Sequence, residues 1–254
     1  MKENQTENEI SVIIITGNEQ ENIKDCLESV KWANEIIVVD SESTDNTVEI
    51  AEIYTRKVFI NPWSGYSDQK KYALSKASNE WVLSIDADER VTTELKEYIL
   101  NKDLSIASGY YILRNNYFLG KKILGCGWDK DYQLRLFNKS EVSVTDRLVH
   151  EGFVVAGKSM KISHSIIHYT SRSLHQALDK ENQYSSLLAA EKVGTKNVGF
   201  TSFTIKPFIA LYQHFIARKG YKDGVHGFLI SLLHAISQLQ VLSKIWEINR
   251  NAKS

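Results

Sequence analysis

Three apolar runs constrain this chain more than any other feature: ISVIIIT at Ile10–Thr16, EIIVVD at Glu35–Asp40 and WVLSID at Trp81–Asp86. Strand-length runs rich in β-branched residues, without polar alternation, read as strands buried on both faces. Between the first two, Ile23, Cys26, Leu27 and Val30 recur at helical spacing, and Val48, Ile50, Ala51 and Ile53 mark a second helix. A short strand at Lys57 to Ile60 and a helix from about Ser67 to Ala77 complete the alternation. Such a pattern predicts a parallel sheet with helices on both faces. Ligands of such sheets bind beyond the carboxyl ends of the strands. Thr16, Asn18, Asp40 and Asp86 are therefore expected on one rim.

The third run leads straight into Asp86, Asp88 and Glu89. Carboxylates this close repel one another and resist desolvation, so a cation or a proton-transfer task is expected to compensate them. Mg2+ is usually held by one or two carboxylates together with substrate phosphates, so the stretch reads as a metal-diphosphate site. The plainer alternative is an acidic turn before a helix that Thr92 caps.

After that helix, near Thr92 to Asn101, the pattern changes. GYYILR, YQLRLF, GFVV and SIIHYT read as short antiparallel strands. From Ser173 the chain turns helical, with Ser173 and Gln176 in capping-box spacing. The predicted organisation is a polar tail over 1–9, an α/β domain over 10–170 and a helical region over 171–254.

The 254 residues carry zero formal net charge, which argues against a nucleic-acid binder. Cys26 and Cys126 are too few for a disulfide framework, so a reducing cytoplasm is the expected compartment. The polar N-terminus predicts no secretory signal. From Gly224 to Ser243 there is no charged residue, but His226, His234, Gln238 and Gln240 make a spanning helix costly. With Arg218, Lys219 and Lys222 upstream, two readings stand level: a helix lying in a membrane interface, or a core or homodimer helix.

The segments SVIIITGNEQENIKDCLESV, EIIVVDSESTDNTVEIA, DQKKYALSKASNEWVLSIDADE, DYQLRLF, RLVHEGF and IIHYTSRS occur in this order between residues 10 and 190. Together they resemble the family 2 glycosyltransferases of GT-A fold, and within them the lipopolysaccharide-core β-1,4-glucosyltransferase type. The resemblance implies a Rossmann-like mixed sheet flanked by helices, with a C-terminal helical extension. It also implies Mg2+ or Mn2+, a UDP-sugar donor and a glycolipid or oligosaccharide acceptor, while the membrane-interface reading of the C-terminal helices would put that work at the inner face of the cytoplasmic membrane.

Carried over by position, Thr16, Asn18 and Glu19 would hold the uridine and Asp40 would accept the uracil N3–H. Asp86 and Asp88 match the D-x-D metal motif, Asp88 as the direct ligand and Asp86 facing ribose or metal. Gln69 and Lys70 match a donor-contacting region, with a solvated helix face as the alternative. Glu42 and Asn46 stand where relatives often carry Gly, and Gly17 where a larger residue is common. Glu tolerates left-handed backbone poorly, which predicts a reshaped loop.

Sugar transfer from a nucleotide passes through a transition state of oxocarbenium character, and an inverting enzyme needs a general base for the acceptor hydroxyl. Glu151, in Val149-His150-Glu151, is the preferred base by resemblance, with His168 as the terminal metal ligand and His164 as a nearby competitor. Asp131 is the second candidate base, its alternative being a turn residue paired with Arg135 or Lys130. Trp63, Trp128 and Tyr132 could stack on a sugar, and Gly125 to Trp128 reads as a flexible loop. A sugar-1-phosphate nucleotidyltransferase and a non-catalytic nucleotide-sugar-binding protein are the competing functions; the acidic TGNEQEN loop lacks the basic residue expected of the former.

Overall fold

Ile10, Val12 and Ile14 of β1 (Ile10–Thr16) pack into one apolar cluster, and Ile13 packs into another on the opposite face. That two-sided burial is why the run shows no polar alternation. The computed structural model describes residues 8–145, 152–193 and 198–251. The chain forms two compact units, one of residues up to Arg114 with Tyr132–His168, the other of Asn115–Asp131 with Tyr169 onwards.

In the first unit, β1 lies between β2 (Glu35–Asp40) and β4 (Trp81–Asp86), parallel to both, and β3 (Val58–Ile60) extends the parallel set beyond β2. The first cluster is closed by α1 (Ile23–Val30) through Ile23, Cys26, Leu27 and Val30. It also takes in Ala51 of α2 (Thr47–Glu52). The second is closed by α3 (Tyr66–Lys76) through Ala73. Beyond β4 come β5 (Glu89–Val91) and α4 (Thr93–Asn101), whose cap is Thr92, its hydroxyl accepting from Leu95 N at 3.2 Å.

The later strands turn the sheet mixed. β6 (Gly109–Phe118) is followed by β7 (Lys121–Lys122), β8 (Tyr132–Asn138), β9 (Val142–Val144), β10 (Phe153–Val155) and β11 (Ser159–Ser171). The order is β3-β2-β1-β4-β8-β6-β11-β5, with β8 antiparallel to β4 and β5 antiparallel to β11. β9 and β10 pair separately. This is the mixed, helix-flanked sheet that the resemblance implied. β5 departs from the expected acidic turn: Glu89, Arg90 and Val91 are extended because β11 pairs with them through His168, Ile167 and Ile166.

In the second unit, α5 (Leu174–Lys192) starts at Ser173, whose hydroxyl accepts from Gln176 N at 3.1 Å, while the Gln176 side chain reaches back to Arg172 N. α6 (Phe200–Tyr212) continues as a π turn, and α7 (Val225–Asn251) packs against both helices. The stretch Gly125 to Trp128 is not a free loop. Asp223, 1% exposed, accepts from Leu124 N and from Gly125 N at 2.7 Å, and a Cβ on Gly125 would meet Lys219 O at 2.3 Å.

The loop after β2 carries a local conflict. Glu42 adopts φ 60° despite its Cβ, and Asn18, in the loop after β1, adopts φ 55°. A left-handed Glu costs about 1–2 kcal/mol. Glu42 is exposed, so Glu42→Gly should stabilise the protein by about 0.5–1 kcal/mol after the entropy of the unfolded glycine is counted, measured by urea denaturation. A less stable variant would mean that the Glu42 side chain makes a contact that outweighs its strain.

Candidate functional site

Parallel register places the ends of three strands side by side. Thr16 pairs with Asp40 across β1 and β2, and Ile15 with Asp86 across β1 and β4. The rim read from sequence is present. Its loops are joined by hydrogen bonds: Asn18 Oδ1 accepts from Thr44 N at 2.9 Å, Asn18 N donates to Ser43 Oγ at 2.7 Å, and Glu19 N donates to Thr47 Oγ1 at 2.8 Å. Gly17 suits a close approach, since a Cβ there would meet Ser41 Oγ at 2.3 Å.

Asp40 is fully buried, accepting from Ser43 N at 2.7 Å and from Ser43 Oγ at 2.5 Å. It thus holds the turn into the Ser-rich loop after β2, with lone pairs left for a further donor. Thr16 Oγ1 is buried and has no hydrogen-bond partner among the described residues.

Asp86, Asp88 and Glu89 do different jobs. Glu89 is fully buried, accepting from Asp86 N at 2.9 Å and from Arg135 at 2.6 Å. The Arg135 guanidinium also donates to the Asp86 carboxylate, and Arg114 lies 3.6 Å from Glu89. Burial opposes ionisation of Asp86, but Arg135, Lys70 and Arg114 outweigh it and hold its carboxyl well below the usual range. Arg135, not expected in the site, therefore pairs with Asp86 and Glu89 rather than with Asp131. The signal for it was available: an Arg within the apolar segment Leu-Arg-Leu-Phe, buried from Leu134 to Phe137, needs a carboxylate.

Asp88, in the turn between β4 and β5, meets His168 of β11, Oδ2 to Nε2 at 3.4 Å. His164 instead packs its ring on Tyr98, centroids 5.3 Å apart. His168 is thus the histidine brought to the acidic turn. Among the described residues, no group of three or more His, Cys, Asp or Glu side chains is assembled for a metal. Two converging side chains still suit an ion whose remaining positions are filled by phosphate and water. Asp86, engaged by Arg135, is not one of that pair.

Lys70 and Gln69 are buried, not on a solvated face. Gln69 Nε2 donates to Asn61 O at 2.7 Å and Pro62 O at 3.1 Å, so it shapes the loop before α3. Asp131 belongs to the second unit, where it accepts from Asn116 Nδ2 at 3.1 Å. Glu151 and His150 lie outside the described residues. Among the aromatics, Trp63 is half exposed against Tyr66, Trp128 stands edge-on to Phe118, and Tyr132 lies under Lys161.

Residues 11–150 match the family described as Glycosyl transferase family 2. An uncharacterized glycosyltransferase of Rickettsia conorii is 35% identical over 263 residues, covering 96% of this chain and 92% of that protein. The lipopolysaccharide core biosynthesis glycosyltransferase LpsC of Rhizobium meliloti is 29% identical over 250 residues, covering 94% of this chain and 92% of its own. Among solved structures, S. aureus TarS 1-349 in complex with UDP aligns over 96% of this chain and 92% of its own, with 14% identity and a TM-score of 0.46.

Removing Arg135 tests the charge network. Arg135→Met removes the buried cation shared by Asp86 and Glu89, leaving them only Lys70 and Arg114, and should cost about 3–5 kcal/mol at pH 7. Because the folded Asp86 pKa is depressed, the ion pair contributes fully above the unfolded value near 4 and is lost as pH falls through the lower folded value. The gap between parent and variant in urea denaturation should therefore narrow below about pH 4; a gap independent of pH would refute the network.

Proposed function

The chain belongs to glycosyl transferase family 2, and from that premise we propose that it is an inverting, metal-dependent transferase moving glucose from UDP-glucose to a cell-envelope glycolipid or oligosaccharide of the lipopolysaccharide-core kind, at the cytoplasmic side of the membrane. The observation that carries the reading is the meeting of Asp88 with His168 beside the rim on which Thr16, Asp40 and Asp86 align. Family membership favours sugar transfer over nucleotidyl transfer. The acceptor class rests on the Rhizobium relative's name.

Each part of the rim then has a task. Thr16 Oγ1, buried and without a partner among the described residues, suits a donor hydroxyl or carbonyl. Asn18, Glu19 and Asp40 line the nucleotide side, Asp40 offering a carboxylate oxygen to the uracil N3–H. Lys70 bears on the same charge field as Asp86, where a leaving diphosphate needs neutralising. Asp88 and His168 would hold Mg2+ or Mn2+, which supplies charge stabilisation of the departing diphosphate. Arg135 orients Asp86 and Glu89 and keeps Asp86 ionised. The acceptor hydroxyl gives its proton to Glu151, or to Asp131 as the second candidate.

Asp88→Asn should abolish Mn2+-dependent UDP binding in isothermal titration calorimetry while leaving the thermal melt intact. Unchanged UDP affinity with Mn2+ would remove Asp88 from the metal site.

The two candidate bases predict opposite kinetics. Glu151→Gln should lower kcat by roughly a hundredfold or more with UDP binding preserved, whereas Asp131→Asn should act on acceptor KM or on stability. UDP release in the presence of acceptor reads both. The reverse pattern would move the base to Asp131, and near-normal turnover in both variants would exclude the pair.

A further inference from the structure

α6 buries only Ala210 among its side chains, whereas Ile205, Phe208, Ile209 and Tyr212 stand exposed, Phe208 at 73% and Tyr212 at 62%. Their spacing puts them along one side of the helix, and Ile216 in the following π turn continues the stripe. Isolated exposed apolar residues are ordinary, but a continuous stripe marks an interaction surface.

Charge beside the stripe is one-sided. Between Val198 and Trp246 the basic residues are Lys206, Arg218, Lys219, Lys222 and Lys244, and the single acidic residue is Asp223. Asp223 is buried and turned to the backbone of Leu124 and Gly125. Arg218, Lys219 and Lys222 are exposed in the turn that follows the helix. The chain as a whole has no net charge, so this cationic turn is a local asymmetry.

We propose that α6 and the turn after it dock on an anionic lipid surface, the aromatic stripe entering the headgroup boundary and the cations meeting lipid phosphates. The competing occupant is a second copy of this chain. A second copy would bring a patch of the same cationic sign to this face, and like charges disfavour that pairing. An anionic bilayer has the opposite sign. The membrane reading from sequence centred on the uncharged stretch of α7, with Arg218, Lys219 and Lys222 upstream and Phe203, Phe208, Phe215 and Phe228 nearby; the cations and Phe208 are shared, and the apolar face shifts to α6. α7 is long and apolar enough to span a membrane, yet it spends Ile230, Ala235, Val241, Leu242 and Ile245 on burial within the second unit. The docking surface is independent of the donor and acceptor chemistry.

Flotation of the whole chain with phosphatidylcholine vesicles, and with equimolar phosphatidylcholine and phosphatidylglycerol vesicles, tests the proposal. The protein should float with the anionic vesicles at low salt, float several-fold less with neutral ones, and be released as salt rises. Phe208→Ser with Tyr212→Ser should lower partitioning by about tenfold or more, and Lys219→Gln with Lys222→Gln by about fivefold per charge, both with unchanged circular dichroism melts. No flotation with anionic vesicles at low salt, or equal flotation by the variants, would overturn it. So would a dimer in sedimentation velocity that the aromatic variant converts to monomer.

Discussion

The buried guanidinium of Arg135 is the interaction on which the geometry of the acidic turn depends. It comes from β8 and binds Asp86 at the end of β4 and Glu89 at the start of β5. Glu89 in turn accepts from the backbone N–H of Asp86, closing the turn from the other side. With both ends of the turn fastened to one cation, Asp88 between them is presented toward His168 instead of joining its neighbours. A buried ion pair of this kind adds little net stability, because desolvation cancels much of the Coulomb gain. What it does fix is register and direction, and a residue meant to meet a partner from another strand needs both.

The same logic governs the nucleotide side of the rim. Two loops that leave adjacent parallel strands are joined through short polar side chains, Asn18 to Thr44, Ser43 to Asn18 and Asp40, and Thr47 to Glu19. All but the Ser43–Asp40 hydroxyl bond satisfy a backbone N–H that would otherwise lie at a strand end without a ladder partner. The left-handed Glu42 sits within this joined region, so the surrounding bonds hold a conformation its own side chain resists.

The second unit solves a different problem. Its central helix is apolar around much of its circumference and finds cover from α5 and α6. Polar pins set the details: Asp223 holds Leu124 and Gly125, and Lys244 donates to Asn182 O and Ser185 Oγ of α5. α6 is covered on one side only, and the other side carries aromatic residues into solvent.

Periodicity alone determined the first half of the fold. The strands at Ile10–Thr16, Glu35–Asp40 and Trp81–Asp86 have the predicted bounds, because two-sided burial leaves an apolar run whose short length and β-branched content separate it from a buried helix. Parallel strand order then followed, and with it the shared rim of Thr16, Asp40 and Asp86. Tertiary structure decided the rest. β5 was illegible because three residues hold too little pattern, and only pairing with β11 makes them a strand. Arg135, the partner of Asp86 across the sheet, was equally hidden, since residues 49 positions apart leave no local periodicity, and His168 was reached for Asp88 only through the family resemblance, not through any pattern in the run itself. The same holds for α6 and α7: composition marked α7 as the helix seeking an apolar partner, but only packing shows which of the two has found one.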